Sequence, residues 1–420
     1  MLPEAHDFKE IMETVAIIIF VITYAGVALG ALPGLALDRT GIALLGAIAM
    51  AAATVLSTQQ AVSAIDTSTI LLLYALMVIS AQLRLSGFYT RLALAVAGFV
   101  RKPAKFLLVM MGVCAILSAI LANDIVCLAF TPVICLALIE AEMNPIPFLI
   151  GLAVSSNIGS AATIIGNPQN MLLGQVGNLH FGRFLLYCLV PSLAALAAAY
   201  CIIYFMYRRK FQKQTPVETR ERRHPLAPYN AHQAHKGLAV VIILIILFFT
   251  PIPRELSALA LAGFLLCSRS MHSRAILGQI DWHLITLFCA LFIVIAGIES
   301  TGLPAALVAN LKQEGFDIQG LFNLTFLSTI LSNIVSNVPA TMLLVKFLDP
   351  TQPAQWYVAA LSSTFAGNLI TIGSIANLIV IEGAGEYGIS ITFKEHAKVG
   401  IPVTLVSIFI TLAWIKLQGG

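Results

Sequence analysis

Amide and hydroxyl side chains that could hold a polar solute are concentrated in two short runs of this sequence. The first run, Ser155 to Asn170, reads SSNIGSAATIIGNPQN, and the second, Gly367 to Asn377, reads GNLITIGSIAN. Such side chains donate and accept hydrogen bonds and carry no charge. The glycine and proline residues in these runs predict that a helix stops and restarts within each of them.

A carboxylate stands in a third polar run, LAND, at Leu121 to Asp124. Asp124 is the one acidic residue placed within the broken regions. At membrane depth a carboxylate is costly, and by default it marks an ion or proton pathway. The alternative is a cap that stays bonded to backbone amides. Cys127, one turn further on, could meet a thiophilic substrate or could simply pack as a buried thiol.

The rest of the chain predicts a membrane protein around these runs. Of 420 residues, 59% are hydrophobic and 10% are charged, a balance outside that of soluble domains. A bilayer core of about 30 Å needs about 20 apolar residues per helix, and many such segments lie between Thr14 and Leu417. The acidic N-terminus argues against a cleaved signal peptide. The seven cysteines form no CxxC pair, which favours free thiols over a metal or disulfide site.

The first half, residues 1–206, has predicted spans over 14–31, 41–56, 69–85 and 187–204 and an interfacial helix over 87–100. The interruption at Asn123 and Asp124 in the apolar pattern from 106 to 140 predicts a re-entrant hairpin with half-length arms. Asp124 is expected to cap its second arm. A broken transmembrane helix, which contains the first polar run, follows the hairpin.

A basic connector, residues 207–236, separates this half from a second one, residues 237–420. It carries eight Lys and Arg residues, as expected for a cytoplasmic loop. The second half repeats short motifs of the first. Ile65-Asp66 matches Ile280-Asp281, Gly87 matches Gly302, and LSAILAN, ending at Asn123, matches LSTILSN, ending at Asn333. The last match pairs Asp124 with Ile334.

The sequence therefore predicts an all-α polytopic membrane protein built from two inverted-topology repeats. Each repeat has about five spans, a re-entrant hairpin and a broken transmembrane helix. With the N-terminus outside, most of the 24 Lys and Arg residues face the cytoplasm. An odd number of crossings per half inverts the second half relative to the first, as in secondary transporters, whose binding sites lie at the repeat interface.

Residues from both halves are expected to form one binding pocket. Asn167 is the predicted N-cap of a helix that restarts at Pro168, and Ser374 is the predicted cap in the second half. For any single asparagine, the alternative is a residue that only satisfies broken backbone. The predicted substrate-binding residues are Asn123, Asn157, Ser160, Thr163, Asn167, Asn170, Asn333, Asn337, Asn368, Thr371, Ser374 and Asn377, with Asp124 for proton coupling and no metal site.

The predicted pocket lacks a fixed countercharge for an anion. Neither break contains Lys or Arg, and Lys346 lies far along a hairpin arm. A small, neutral, hydroxyl-rich solute or a hydrated cation suits amides, hydroxyls and one carboxylate better. Cations bound together with an anion could serve that anion instead.

The chain resembles the ion transporter superfamily, specifically the ArsB/NhaD permeases, in LANDIVCLAFTP (121–132), in the first polar run and in SNIVSNVP of the second half. This resemblance covers nearly the whole chain. It implies alternating access, in which hairpin-bearing transport domains move against a scaffold. Members of the superfamily move arsenite and antimonite, sodium against protons, dicarboxylates, citrate or silicic acid.

Departures from the motifs of these branches favour one of them. Sodium-proton members usually carry an acid where this chain has Asn167, and dicarboxylate members carry Ser-Asn-Thr where this chain has Ser156-Asn157-Ile158 and Gly367-Asn368-Leu369. Arsenite members retain an Asn-Asp pair like Asn123-Asp124. The favoured function is therefore proton-coupled efflux of arsenite or antimonite. The alternative is a sodium-proton antiporter or a sodium-coupled carboxylate transporter.

Other functional classes receive less support. An intramembrane enzyme would be expected to show HExxH, GxSxG or a repeated Asp-rich metal motif, and none is present. A passive channel stays a third alternative. No cofactor is expected, since a proton gradient or a sodium gradient would drive transport. The expected location is the bacterial inner membrane with both termini outside, and the candidate partners are a second copy of the chain and a soluble ATPase subunit.

Overall fold

A computed structural model describes residues 5–30, 34–212, 228–315 and 317–419. These residues form twenty α-helices and no β-sheet, as predicted. The helices of the first half are α1 (Ala5–Leu29), α2 (Arg39–Ala52), α3 (Thr58–Ser63), α4 (Thr67–Leu85), α5 (Phe88–Ala97), α6 (Pro103–Ile120), α7 (Asn123–Glu140), α8 (Ile146–Ser160), α9 (Pro168–Val176) and α10 (Phe181–Tyr207).

The second half contains the same number of α-helices. They are α11 (Ala231–Leu247), α12 (Arg254–Leu266), α13 (Ser273–Leu277), α14 (Trp282–Glu299), α15 (Leu303–Gln313), α16 (Leu321–Val335), α17 (Asn337–Leu344), α18 (Pro353–Ala366), α19 (Ile375–Gly385) and α20 (Phe393–Leu417). Helix α11 begins six residues before the predicted boundary at 237. Half of the basic connector, residues 213–227, lies outside the described residues.

Seven helices in the described ranges are long and apolar enough to cross a membrane. They are Glu10–Leu29, Thr67–Leu85, Pro103–Ile120, Asn123–Glu140, Phe181–Tyr207, Trp282–Glu299 and Phe393–Leu417. Shorter apolar helices, such as α8 and α11, lie among them. The predicted all-α, multi-pass architecture is therefore confirmed.

Equivalent backbone features recur in the two halves where the sequence motifs match. Asp66 and Asp281 are both N-caps, and their carboxylates accept from the backbone nitrogens of Thr69 at 2.7 Å and Leu284 at 2.9 Å. Gly87 and Gly302, which follow the capped helices α4 and α14, both have positive φ, 74° and 71°. In each half a hairpin (α6–α7, α16–α17), a broken helix (α8–α9, α18–α19) and a long last helix (α10, α20) follow in the same order. The inversion of one half relative to the other stays a prediction.

Both hairpins differ in detail from the sequence prediction. The arms of the first hairpin are 18 residues each, about 27 Å of helix, and are therefore longer than half-length. In the second hairpin the turn lies at Ser336, which has φ 74°, and Asn333 belongs to the preceding helix α16. Asn337, as the first residue of α17, occupies the place that Asn123 has in α7.

Close backbone contact fixes the first broken helix against the first hairpin. Helix α8 packs along α6, and a Cβ atom at Gly159 would lie 2.2 Å from the carbonyl oxygen of Ala115. Real Cβ contacts do not reach this distance, so the two helices approach this closely only because residue 159 has no side chain.

We therefore expect Gly159→Ala to force α8 away from α6 and to cost about 1–3 kcal/mol of stability, as overpacking does. Thermal unfolding of the detergent-purified protein measures this loss as a lower Tm. Gly112→Ala on α6 is the matched control, since no atom lies within 4 Å of its added Cβ. Equal Tm values for the two variants would contradict the prediction.

Candidate functional site

The first broken helix stops at Ser160 and restarts at Pro168. Asn167 caps the restart, since its Oδ1 accepts a 2.8 Å hydrogen bond from the backbone nitrogen of Asn170. Pro168 stands at the first helical position, where a missing N–H is tolerated. The predicted cap and restart are confirmed, and the free amides at the start of α9 face back into the break.

The second broken helix has a corresponding restart. Helix α18 ends at Ala366, a short 3-10 turn covers Thr371–Gly373, and α19 begins at Ile375. Ser374 is the predicted cap, and its Oγ accepts from the backbone nitrogen of Ala376 at 3.3 Å.

Asn170 and Asn377 perform the same task in their respective halves. Both side chains are fully buried, and each donates through Nδ2 to two backbone oxygens of its own break. The bonds run from Asn170 to Ser160 O (3.2 Å) and Thr163 O (2.9 Å), and from Asn377 to Gly367 O (2.7 Å) and Ile370 O (3.1 Å). Ser160 and Gly367 lie where α8 and α18 end, so their carbonyls lack the donors of a continuing helix and the two asparagines supply a donor instead.

Asn157, on α8, joins the two halves directly. Its Nδ2 donates to Oδ1 of Asn368 at 3.0 Å and of Asn377 at 3.1 Å. Its Oδ1 accepts from Ser374 Oγ at 2.9 Å and from Asn123 Nδ2 at 3.4 Å. We call these five residues the amide network. Asn157 uses both hydrogens and both lone pairs of its amide in this network, and it is 1% exposed.

The tip of the first hairpin packs beside the first break. The backbone nitrogen of Asn123 donates to Gly166 O at 3.2 Å, and Ser156 Oγ donates to Asn123 O at 3.2 Å. Thr163 Oγ1 donates to Ala119 O. Hairpin and break therefore satisfy each other's backbone groups.

The second hairpin contacts the second break through two asparagines. Asn333 and Asn337 each donate through Nδ2 to two backbone oxygens. The acceptors are Thr329 O (3.0 Å) and Ala366 O (3.2 Å) for Asn333, and Ser363 O and Gly373 O (3.0 Å each) for Asn337.

A second polar contact between the halves involves residues that sequence reasoning missed. Nδ2 of Asn167 donates to Ser160 Oγ at 2.9 Å and to Thr364 Oγ1 at 3.3 Å, and Nε2 of Gln169 also donates to Thr364 Oγ1 at 3.4 Å. Gln169 lies inside the first polar run, so its position was a usable signal. Thr364 lies in a helical stretch before the second run, where nothing in the sequence distinguishes it.

Two predicted residues stand apart from these contacts. Thr371 is half-buried, and within the described ranges its side chain makes no hydrogen bond. Asp124 is also half-buried and lies in the first turn of α7, directly after Asn123. It does not cap that helix, because the N-cap position is Ala122 and no side chain caps there. Across the described part of the chain, nothing hydrogen-bonds to its carboxylate.

The amide network is uncharged, and several amide atoms of the network and of the neighbouring predicted residues have no partner. Among the described residues, no Lys or Arg side chain bonds to it, and Lys346 pairs instead with Glu299 at 2.9 Å. Within the same ranges, four buried atoms of the predicted site have no hydrogen-bond partner. They are Oδ1 of Asn123, Asn170 and Asn333, and Nδ2 of Asn368.

The far end of α9 is tied to helix α12. Arg254 donates through Nη1 to Leu179 O at 2.8 Å and through Nη2 to Gly174 O at 2.6 Å. Gln175 Nε2 donates to Glu255 Oε2 at 3.0 Å. A cavity of about 440 Å³ is bordered by Gln175, Leu179, Arg254 and Glu255. Helix α9 is thus held at its start by the break and at its end by α12.

Comparison with known proteins identifies the family. A family model described as Citrate transporter (CitMHS) matches residues 15–366. The chain belongs to the citrate transporter family. The predicted membership of the ion transporter superfamily is confirmed, and this citrate transporter family member is a multi-pass membrane transporter and not an enzyme.

Relatives of this family member align along nearly its whole length. Silicon efflux transporter LSI3 of Oryza sativa subsp. japonica is 27% identical over 444 residues, covering 89% of this chain and 91% of that protein. A transporter of Dictyostelium discoideum named arsB is 22% identical over 499 residues, covering 92% and 88%. The crystal structure of the Alcanivorax borkumensis YdaH transporter has a TM-score of 0.57 at 13% identity, covers 98% of each chain and shows the same fold.

The amide network predicts a specific effect of removing its central residue. Asn157→Leu keeps the size of the side chain but strips partners from Asn368, Asn377 and Ser374. Each stranded buried group costs about 1–3 kcal/mol, so we expect a lower Tm and loss of solute binding.

Thermal unfolding and solute binding by isothermal titration measure these two effects. Asn323→Leu is the control, because Asn323 makes a single hydrogen bond, to Asp317 O at 2.8 Å, away from the network. Normal solute binding by Asn157→Leu would contradict a central role for this amide.

Proposed function

We propose that this protein exports a small neutral polyhydroxy solute by proton-coupled alternating access, with arsenous and antimonous acid as the first candidates. The observation that carries this proposal is the set of unpartnered amide atoms. Three of them are acceptor oxygens, and one is a donor nitrogen.

The predominance of hydrogen-bond acceptors over donors among these atoms argues against an anion as the substrate. An ionised carboxylate group only accepts hydrogen bonds and would need donors or a cation around it. Asn368 Nδ2 is the one unpartnered amide donor of the site, and no Lys or Arg within the described ranges reaches the network. A neutral hydroxide such as arsenous acid offers O–H donors to amide oxygens and lone pairs to the nitrogen.

The relatives support the same chemical class. One is named for silicon efflux and one carries the name arsB. Silicic, arsenous and antimonous acids share one feature near neutral pH: each is a small uncharged centre surrounded by hydroxyl groups. Silicic acid therefore belongs in the same substrate screen.

Asp124 is our proposed proton carrier. Its carboxylate adjoins Asn123 in sequence, and within the described residues no hydrogen bond holds it in one protonation state. A carboxylate in a membrane-spanning helix marks a proton or ion pathway by default. The proposal also places the protein in the bacterial inner membrane, with the termini outside and the basic connector in the cytoplasm.

We expect Asp124→Asn to abolish proton-driven accumulation of arsenite while leaving folding and downhill exchange intact, because the variant keeps the shape of the side chain but cannot release a proton. Uptake into inverted vesicles with an acidic interior measures the driven step. Glu140→Gln is the control, since Glu140 is an exposed carboxylate at the other end of the same helix. Normal pH-driven uptake by Asp124→Asn would refute the proposed coupling.

A second candidate is a sodium-coupled or sodium-proton transporter, favoured by the unpartnered oxygens of Asn123 and Asn170. Amide and backbone oxygens are suitable ligands for hard cations. Asn123 comes from the first hairpin, and Asn170 comes from the first broken helix.

Under this second candidate, Na⁺ should raise the Tm of the wild-type protein and K⁺ should not, because the amide oxygens would select by size and geometry. Asn170→Leu should remove the sodium effect. A Tm increase from arsenous acid without any sodium effect supports the first proposal and excludes the second.

A further inference from the structure

His396 is a buried imidazole that the proposed transport cycle does not use. It lies in the first turn of α20 and is 1% exposed. Its Nε2 is 3.1 Å from the backbone oxygen of Asn368. Because a carbonyl oxygen only accepts, Nε2 must carry the hydrogen of this bond.

His396 belongs to a face of α20 that packs against the end of α18. Gly400, one turn further, brings α20 so close that a Cβ there would lie 2.2 Å from Asn368 O and 2.7 Å from Leu369 O. Thr404, another turn on, donates through Oγ1 to Phe365 O at 3.3 Å. The face supplies donors to carbonyls at the point where α18 stops, where carbonyls no longer receive the i+4 backbone donor of a continuing helix.

Among the described residues of the first half, the last helix gives no such support to its break. Helix α10 presents Phe184, Cys188 and Ser192 as a buried face with the same four-residue spacing. No hydrogen bond in the described ranges joins these side chains to the first break. The support from α20 is therefore a property of the second break alone.

The backbone oxygen that His396 binds belongs to Asn368, whose side chain is part of the amide network. Asn368 N donates to Phe365 O at 3.1 Å, and Asn368 Oδ1 accepts from Asn157. With Asn368 O bonded to His396, the only unpartnered polar atom of this buried residue is Nδ2. We infer that His396 is a positioning residue, which holds Asn368 so that its Nδ2 donates to the transported solute.

Three variants separate positioning from general packing. His396→Met fills the site without a donor, whereas His396→Gln places an amide nitrogen at the distance of Nε2. His396→Asn carries the same amide on a shorter side chain that falls short of Asn368 O. Thr404→Val is the matched control, since it removes a donor from the same face but to Phe365 O, which keeps Asn368 N as a partner.

Solute uptake in proteoliposomes gives KM and kcat for each variant. This measurement rests on the proposed function. We expect His396→Met and His396→Asn to raise KM about tenfold, equivalent to about 1.4 kcal/mol, with kcat nearly unchanged, because the bond acts on solute binding. His396→Gln and Thr404→Val should stay within about twofold of wild type. Wild-type KM in both His396→Met and His396→Asn, or an equal KM rise in Thr404→Val, would overturn the inference.

Hydrogen exchange provides a readout that needs no substrate. Amides of residues 367–374 in the solute-free protein should exchange faster in His396→Met than in wild type, with His396→Gln restoring slow exchange. Unchanged exchange in His396→Met would overturn the inference even if transport is impaired. If the wild-type protein moves none of the tested solutes, the proposed function fails, and the exchange result alone then decides the role of His396.

Discussion

The structure depends on one constraint, which is that a backbone leaving its helix inside a membrane must find partners for its carbonyl and amide groups. Both broken helices meet this constraint with a single asparagine. Asn170 and Asn377 each bind two carbonyls of the adjacent break through Nδ2. Hairpins, caps and, in the second half, the last helix then complete what these two side chains begin.

An amide side chain meets this constraint well because its nitrogen and its oxygen can bond to different partners. Asn170 and Asn333 use Nδ2 to satisfy backbone and keep Oδ1 unpartnered. One residue can thus stabilise the break with its nitrogen and meet a solute with its oxygen. For these positions, a choice between a structural role and a binding role is not required. Serine has a single oxygen for both tasks, and leucine has no polar atom.

Local sequence signals predicted the parts of the site that local chemistry determines. Asn167 before Pro168 identifies a helix start without any knowledge of the neighbouring helices, and Ser374 does the same in the second half. The matched Asp66 and Asp281 likewise proved to be equivalent N-caps. The broken helices and the polytopic architecture follow from such signals together with composition.

Features that depend on distant contacts were not predicted. The shared LSxILxN motif aligns Asn123 with Asn333, but in the second half the helix continues to Val335 and the chain turns at Ser336. A residue-by-residue match therefore placed the second tip too early. Thr364 and His396 lie in ordinary helical sequence, and only the packing of α18 against α9 and α20 brings them to the site.

The absence of fixed charge from the amide network has an electrical consequence. A charge that crosses the full membrane potential exchanges about 2.3 kcal/mol per 100 mV with the field, whereas dipolar side chains that carry a neutral solute exchange almost none. In the alternating access that we propose, Asn157 and its partners change sides without opposing the resting voltage of a cell. In the carrier that we propose, the membrane potential acts on Asp124, and only in the part of the cycle in which that carboxylate is ionised.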